Sequence, residues 1–184
     1  MPFAPESELS GVGRTLKPGE YLWYRRELVL PEGFNVGRVL LHFGAVDQCA
    51  RVWVNGEDAC AHTGGYLGFS ADITELLYAE GEANEILVRV TDDTDKSYHT
   101  RGKQKLKPGG IWYTPVSGIW QTVWCESVPE NYIRALYITP HVDQGAVELY
   151  VDGEGPCRAL IGGMAYDFSA GTPARKRCSP STAR

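Results

Sequence analysis

Residues 38–61 read RVLLHFGAVDQCARVWVNGEDACA, and their spacing decides the fold. Val39, Leu41, Phe43 and Ala45 alternate with Leu40, His42 and Gly44, so residues 38–46 have the period of a strand. A further strand spans 51–54. Asn55-Gly56 follows it, and both residues tolerate positive φ, which makes the pair a strong hairpin signal. The return strand covers about 57–61.

The same period extends outward in both directions. Residues 21–30, YLWYRRELVL, set Leu22, Tyr24, Leu28 and Leu30 on one face, with Arg26 interrupting it and in need of a partner or an edge. Residues 84–91 alternate Ile86, Val88 and Val90 with Leu87 and Arg89, and Asp92, Asp93 and Asp95 end that strand. Residues 119–127 form another, with Trp120, Thr122, Trp124 and Glu126 opposite Ile119, Gln121, Val123 and Cys125. Trp53 and Trp120 lie in strands and are expected in the core. Residues 72–77 hold one helical turn, with Asp72 as its cap. Many short strands, frequent turn signals and almost no helix give a β-sandwich.

Composition excludes several function classes. The net charge is -5, and the short basic run Arg175-Lys176-Arg177 is no nucleic-acid footprint. No apolar run is long enough for a spanning helix, so no membrane partner is expected. The opening MPFAPESELSG has acidic residues and no apolar segment, so no secretory signal is expected. Five widely and irregularly spaced cysteines with no CxxC fit neither a disulfide framework nor a zinc site. Free thiols in strands fit a reducing, cytoplasmic setting, and no cofactor or metal is expected.

Residues 97–110 form a long polar connection, which in a compact domain calls for a functional explanation. Within RGKQKLKPGGIWYTPVSGIWQTVWCE, residues 101–126, the side chains Arg101, Lys103 and Gln104 lie near Trp112 and Tyr113. Cations and amides can hydrogen-bond sugar hydroxyls, and a flat aromatic face can stack on a pyranose ring, although the aromatics serve a core equally well.

The chain resembles the N-terminal sugar-binding domain of family 2 glycoside hydrolases, the β-galactosidase and β-glucuronidase group. Tyr24-Arg25-Arg26 carries the resemblance, with Leu41-His42-Phe43-Gly44-Ala45-Val46-Asp47 and Val52-Trp53-Val54-Asn55-Gly56. His62-Thr63-Gly64-Gly65-Tyr66 follows with Phe69 and Asp72-Ile73-Thr74, then Arg101-Gly102-Lys103-Gln104, and last residues 117–124, SGIWQTVW. The resemblance implies an all-β jelly-roll sandwich of the galactose-binding type over residues 1–128. It implies the first strands of an immunoglobulin-like sandwich over 132–168, with strands expected at 132–139 and 146–151. The pattern then fades, and 169–184 reads as a disordered tail.

The family's catalytic glutamates lie on a TIM barrel, and this chain offers no defensible pair of carboxylates at the separation glycoside cleavage needs. Glu126 matches a family position that is structural. The expectation is therefore a non-catalytic fragment of a hydrolase of terminal β-glycosides, inactive alone, that shapes a sugar subsite of the barrel. Asp92, Arg101, Lys103, Gln104, Trp112 and Tyr113 are the residues expected to contribute. Carbohydrate and the barrel are the implied partners. A free-standing carbohydrate-binding module and a structural or protein-interaction sandwich are the alternatives. Without its barrel contacts the 97–110 loop is expected to be the most mobile internal segment.

Overall fold

The computed structural model describes residues 3–177. The chain divides into two compact units, Met1–Val128 and Pro129–Arg184. Among the described residues, all regular structure is β apart from single 3-10 turns.

The first unit is a jelly-roll sandwich. One sheet has the order β1-β7-β4-β5, from β1 (Leu22–Val29), β4 (Cys49–Val54), β5 (Glu57–Thr63) and β7 (Ala83–Thr91). The facing sheet has the order β6-β2-β9, from β2 (Arg38–Phe43), β6 (Phe69–Asp72) and β9 (Val123–Val128). Two short strands, β3 (Val46–Asp47) and β8 (Gly118–Ile119), pair at one end. Every pairing among these strands is antiparallel.

The alternation read from the sequence builds the core. Val39, Leu41 and Phe43 of β2 meet Val52 and Val54 of β4 and Ile86, Val88 and Val90 of β7, all buried. Each such side chain contributes roughly 1.5–3 kcal/mol by leaving water. Asn55 and Gly56 take φ of 53° and 85°, as the hairpin requires. Asn55 also donates to the Leu76 carbonyl at 2.7 Å and to Asn84 Oδ1 at 2.8 Å, and accepts from the Glu85 N–H. The turn residue thereby fastens β4 to β7 and to the 3-10 turn Thr74–Leu76. Asp72 accepts from the Thr74 N–H at 3.1 Å at the head of that turn.

Three expectations need correction. The strand expected at 38–46 breaks at Gly44, where a Cβ would stand 2.8 Å from the Gln121 side chain. The strand expected at 119–127 breaks opposite it, and the Gly44 N–H donates to the Thr122 carbonyl across the gap. Second, Trp53 and Trp120 are not core residues. Trp53 lies on the outer face of its sheet, stacked on Trp23 with ring centroids 5.8 Å apart, and Trp120 is 41% exposed. Strand membership fixes only a two-way choice of face, and here Ala50, Val52 and Val54 hold the inner one.

The second unit pairs β10 (Ala135–His141), β11 (Ala146–Asp152) and β14 (Ala174–Arg177) in the order β10-β11-β14. A separate hairpin joins β12 (Pro156–Ile161) to β13 (Met164–Ser169). The third correction lies here: the pattern after Val151 does not fade. Gly162 and Gly163 take positive φ and turn β12 into β13, a signal visible in the sequence as Gly-Gly between apolar runs. Within the tail expected to be disordered, Ala174–Arg177 pairs with β11. The remainder of that tail, from Cys178, lies outside the described residues.

Candidate functional site

The polar connection between β7 and β8 is a folded loop, with one parallel bridge between Gln104 and Tyr113 and a tight turn closed by Gly109 and Trp112. Tyr113 donates its N–H to the Lys103 carbonyl at 2.8 Å, and Lys105 donates to the Tyr113 carbonyl at 3.0 Å. Gly109 and Trp112 exchange backbone bonds at 3.2 and 3.1 Å. The ammonium of Lys105 sits 3.9 Å from the centre of the Trp112 ring, a cation–π contact. These bonds tie the loop to itself.

Asp92 closes the loop at its base. It is buried, its Oδ1 accepts from the Thr94 N–H at 2.6 Å, and its Oδ2 accepts from the Ser117 hydroxyl at 2.7 Å. One carboxylate thus joins the residue where the chain leaves the sheet to the residue where it returns. Thr94 has φ 47°, a conformation that non-glycine residues seldom adopt.

Gln104 spans the same base. Its Nε2 donates to Asp47 Oδ2 at 3.3 Å and its Oε1 accepts from the Val116 N–H at 2.5 Å. Asp47 ends β3 beside Gln48, through a cis peptide bond. Gln48 is buried and donates to the Thr100 carbonyl at 3.4 Å. Gly65 packs directly on Asp47, since a Cβ there would stand 2.5 Å from Oδ1. The Gly65 carbonyl accepts from Trp120 Nε1 at 2.8 Å. Glu6 reaches the same place and accepts from the Ser117 N–H at 3.2 Å.

Three carboxylates, Glu6, Asp47 and Asp92, therefore share a small enclosed region. The Asp47 carboxyl is pushed up to about 6, first by burial, then by the charge of Asp92 and to a lesser degree of Glu6, against the lowering effect of the Gln104 hydrogen bond. Asp47 Oδ1, Glu6 Oε1, Asp95 Oδ1 and Arg101 Nε are buried without a hydrogen-bond partner among the described residues. Buried polar atoms are almost always paired, so a cluster of exceptions marks a place where something more is bound or braced.

The structure brings together four of the six residues singled out from the sequence by way of this base. Asp92 and Gln104 are internal ties, Arg101 is half-buried beside them, and Lys103 lends its backbone. Trp112 lies under Lys105, and Tyr113 is 62% exposed. Beside the loop Tyr66, Leu67, Tyr98 and Ile111 are exposed too. Sequence reasoning passed over Asp47, Gln48, Ser117, Gly65 and Glu6 as site residues. The available signal was Asp47-Gln48, an acid and an amide inside an otherwise apolar strand run. Glu126 lies elsewhere: its Oε1 is 3.2 Å from His42 Nε2, and His42 stacks on Trp124 with centroids 4.8 Å apart. No group of three or more His, Cys, Asp or Glu among the described residues could hold a metal ion.

A sandwich whose loop end gathers amides, buried acids and exposed aromatics has a counterpart among known proteins. The family model described as "Glycosyl hydrolases family 2, sugar binding domain" matches residues 14–129. The chain belongs to this family. Human β-glucuronidase is 28% identical over 160 residues, a match that covers 73% of this chain and 24% of the relative. The β-galactosidase of Thermoanaerobacter pseudethanolicus is 32% identical over 117 residues, covering 62% of this chain and 15% of the relative. The chain thus spans a quarter or less of the length of these curated relatives. Among solved structures, Faecalibacterium prausnitzii β-glucuronidase superposes with a TM-score of 0.67 at 23% identity over 98% of this chain and 35% of that one. Ruminococcus gnavus β-glucuronidase gives 0.64 at 20% identity, over 86% and 29%. These two likenesses speak for the fold.

Proposed function

We propose that this chain is the non-catalytic sugar-binding part of a longer family 2 enzyme that hydrolyses terminal β-glycosides, and that its loop end forms one wall of a sugar subsite completed by a catalytic barrel. The observation that carries this reading is the set of exposed side chains, Tyr66, Leu67, Tyr98, Ile111 and Tyr113, beside a loop that is itself well tied. Exposed apolar groups gathered at one end of a soluble domain mark a surface that meets something else.

Each candidate residue has a role in this reading. Asp92 and Gln104 are positioning residues, since their polar atoms are engaged within the domain. Lys103 and Tyr113, both exposed, are the groups free to meet a sugar. Arg101 braces the loop, and Trp112 stiffens its tip through Lys105. The free cysteines fit a reducing cytoplasm. The loop's own hydrogen bonds favour a second reading, a preformed carbohydrate-binding module that acts without a barrel.

Calorimetric titration of the chain with D-glucuronate and D-galactose separates the two. The fragment reading expects no saturable heat and no turnover of chromogenic β-glycosides by the chain alone. It also expects Tyr113→Ala in the longer polypeptide to raise KM with little change in kcat. Saturable binding by the isolated chain, abolished by Tyr113→Ala, establishes the module instead.

A further inference from the structure

We propose that a groove along the free edge of β1 receives an extended polypeptide strand carrying a carboxylate opposite Arg26. The groove belongs to the first unit and meets the loop end at Ile119 and Trp120, but the inference rests on the edge of β1 and does not require the sugar-site reading.

Both sheets end at this groove. β1 pairs with β7 on one side, from Leu22 opposite Val90 to Val29 opposite Ala83, and with no described strand on the other. β9 likewise pairs only with β2. A cavity of about 1110 Å³ lies here, with residues 23–26 of β1 on one wall, residues 119–123, which lead from β8 to the first residue of β9, on the other, and Phe43, Ile86 and Val88 at its base. Four consecutive residues of β1 line it, so the groove runs along that strand. One end is closed, where Tyr24 Oη accepts the Ile119 N–H at 3.1 Å.

Shape and chemistry together favour a strand over a sugar. Every second residue of β1 turns its N–H and C=O toward the open side, a row of backbone groups at the repeat of a neighbouring strand. Only another extended backbone offers matching groups at that interval, and the apolar base suits alternate side chains of such a segment. Trp120, partly exposed, lines the far wall and supplies anchoring area.

Arg26 specifies which strand. It follows Tyr24 and precedes Leu28 on the inward side of β1, opposite Ile86. Among the described residues it has no carboxylate partner, whereas its neighbour Arg25 is paired with Glu85. An inward-pointing charge on an edge discourages indiscriminate pairing. A segment that places Asp or Glu against Arg26 removes that penalty and gains a charge-assisted hydrogen bond. A second copy of β1, pairing antiparallel about Arg26, sets guanidinium against guanidinium and is disfavoured.

The test is selection of displayed random peptides of about twelve residues, longer than β1 itself, on the immobilised chain. Enriched sequences are then titrated as synthetic peptides, with amide exchange read by NMR. The expected result is enrichment of alternating apolar sequences that contain one acidic residue and slow alternate β1 amides. Arg26→Glu should weaken their binding at least about tenfold and Arg26→Lys should largely retain it. Arg26→Gln, with unchanged far-UV circular dichroism, serves as the neutral control should the charge reversal disturb folding. No enrichment, peptides that leave β1 exchange unchanged, or binding indifferent to Arg26 overturns the proposal. Sedimentation showing that the chain dimerises through this edge also overturns it, in favour of a second copy.

Discussion

Asp47→Asn should stabilise the first unit at neutral pH and leave it unchanged in mild acid. Asp47 is buried among Asp92, Glu6 and Gly65, and its carboxyl is raised from an ordinary 3.8 to about 6. Because the folded state holds the proton more tightly than the unfolded one, stability is greatest below about pH 4 and falls as pH rises toward 6, then levels. A rise of this size corresponds to roughly 3 kcal/mol between the two protonation states, and partial access of water brings the expected effect to about 1–2 kcal/mol. Asparagine keeps an oxygen to accept from Gln104 Nε2 and removes the charge facing Asp92. The variant should therefore match the parent near pH 4 and exceed it by about 1–2 kcal/mol at pH 7.5. Urea melts followed by tryptophan fluorescence suit the measurement, because all five tryptophans lie between Trp23 and Trp124, inside the first unit. A variant less stable than the parent at pH 7.5 refutes the reasoning, since it means the fold uses the ionised carboxylate. Parallel stability curves across pH refute the raised carboxyl itself.

Gly118→Ala should cost about 2–4 kcal/mol in the same melts, because φ is 85° and a Cβ would stand 2.0 Å from Tyr24 Oη and 2.7 Å from Leu22. Ser117→Ala removes the hydroxyl held by Asp92 Oδ2 and leaves a buried oxygen unpaired, so a loss of about 1–3 kcal/mol is expected, with faster amide exchange from Thr94 onward. Phe43→Ala should cost about 3–5 kcal/mol and Trp53→Ala under about 2 kcal/mol, since Phe43 is fully buried and Trp53 lies on the outer face. Equal losses in that pair contradict the assignment of faces.

The sandwich was legible wherever alternation and turn chemistry agreed. Val39, Leu41 and Phe43 fall on the core face as their spacing implies, and Asn55-Gly56 turns the hairpin. Period two does not say which face is inside when both carry large side chains, which is why Trp53 falls on the outer face, whereas Trp120 lies in the break between β8 and β9, where no strand period applies. The hairpin of β12 and β13 escaped because polar residues interrupt its apolar positions, although Gly162-Gly163 marks the turn. At the loop end the sequence pointed to the right segment. It could not supply Asp47, Gln48 and Glu6, which reach the base from distant parts of the chain. Local spacing carries no information about such meetings; they follow from how the strands pair.

The single carboxylate that joins Thr94 to Ser117 has a consequence for how this domain can change over evolutionary time. A loop fastened at its neck leaves the scaffold indifferent to what lies beyond the fastening. Lengthening such a loop costs little in closure entropy, about 0.6 kcal/mol for each doubling. Substitutions and insertions between 97 and 113 can therefore be sampled with the sheets unchanged, provided Asp92, Ser117 and Gln104 stay in place. New contacts can be tried at the tip while the same sandwich continues to fold.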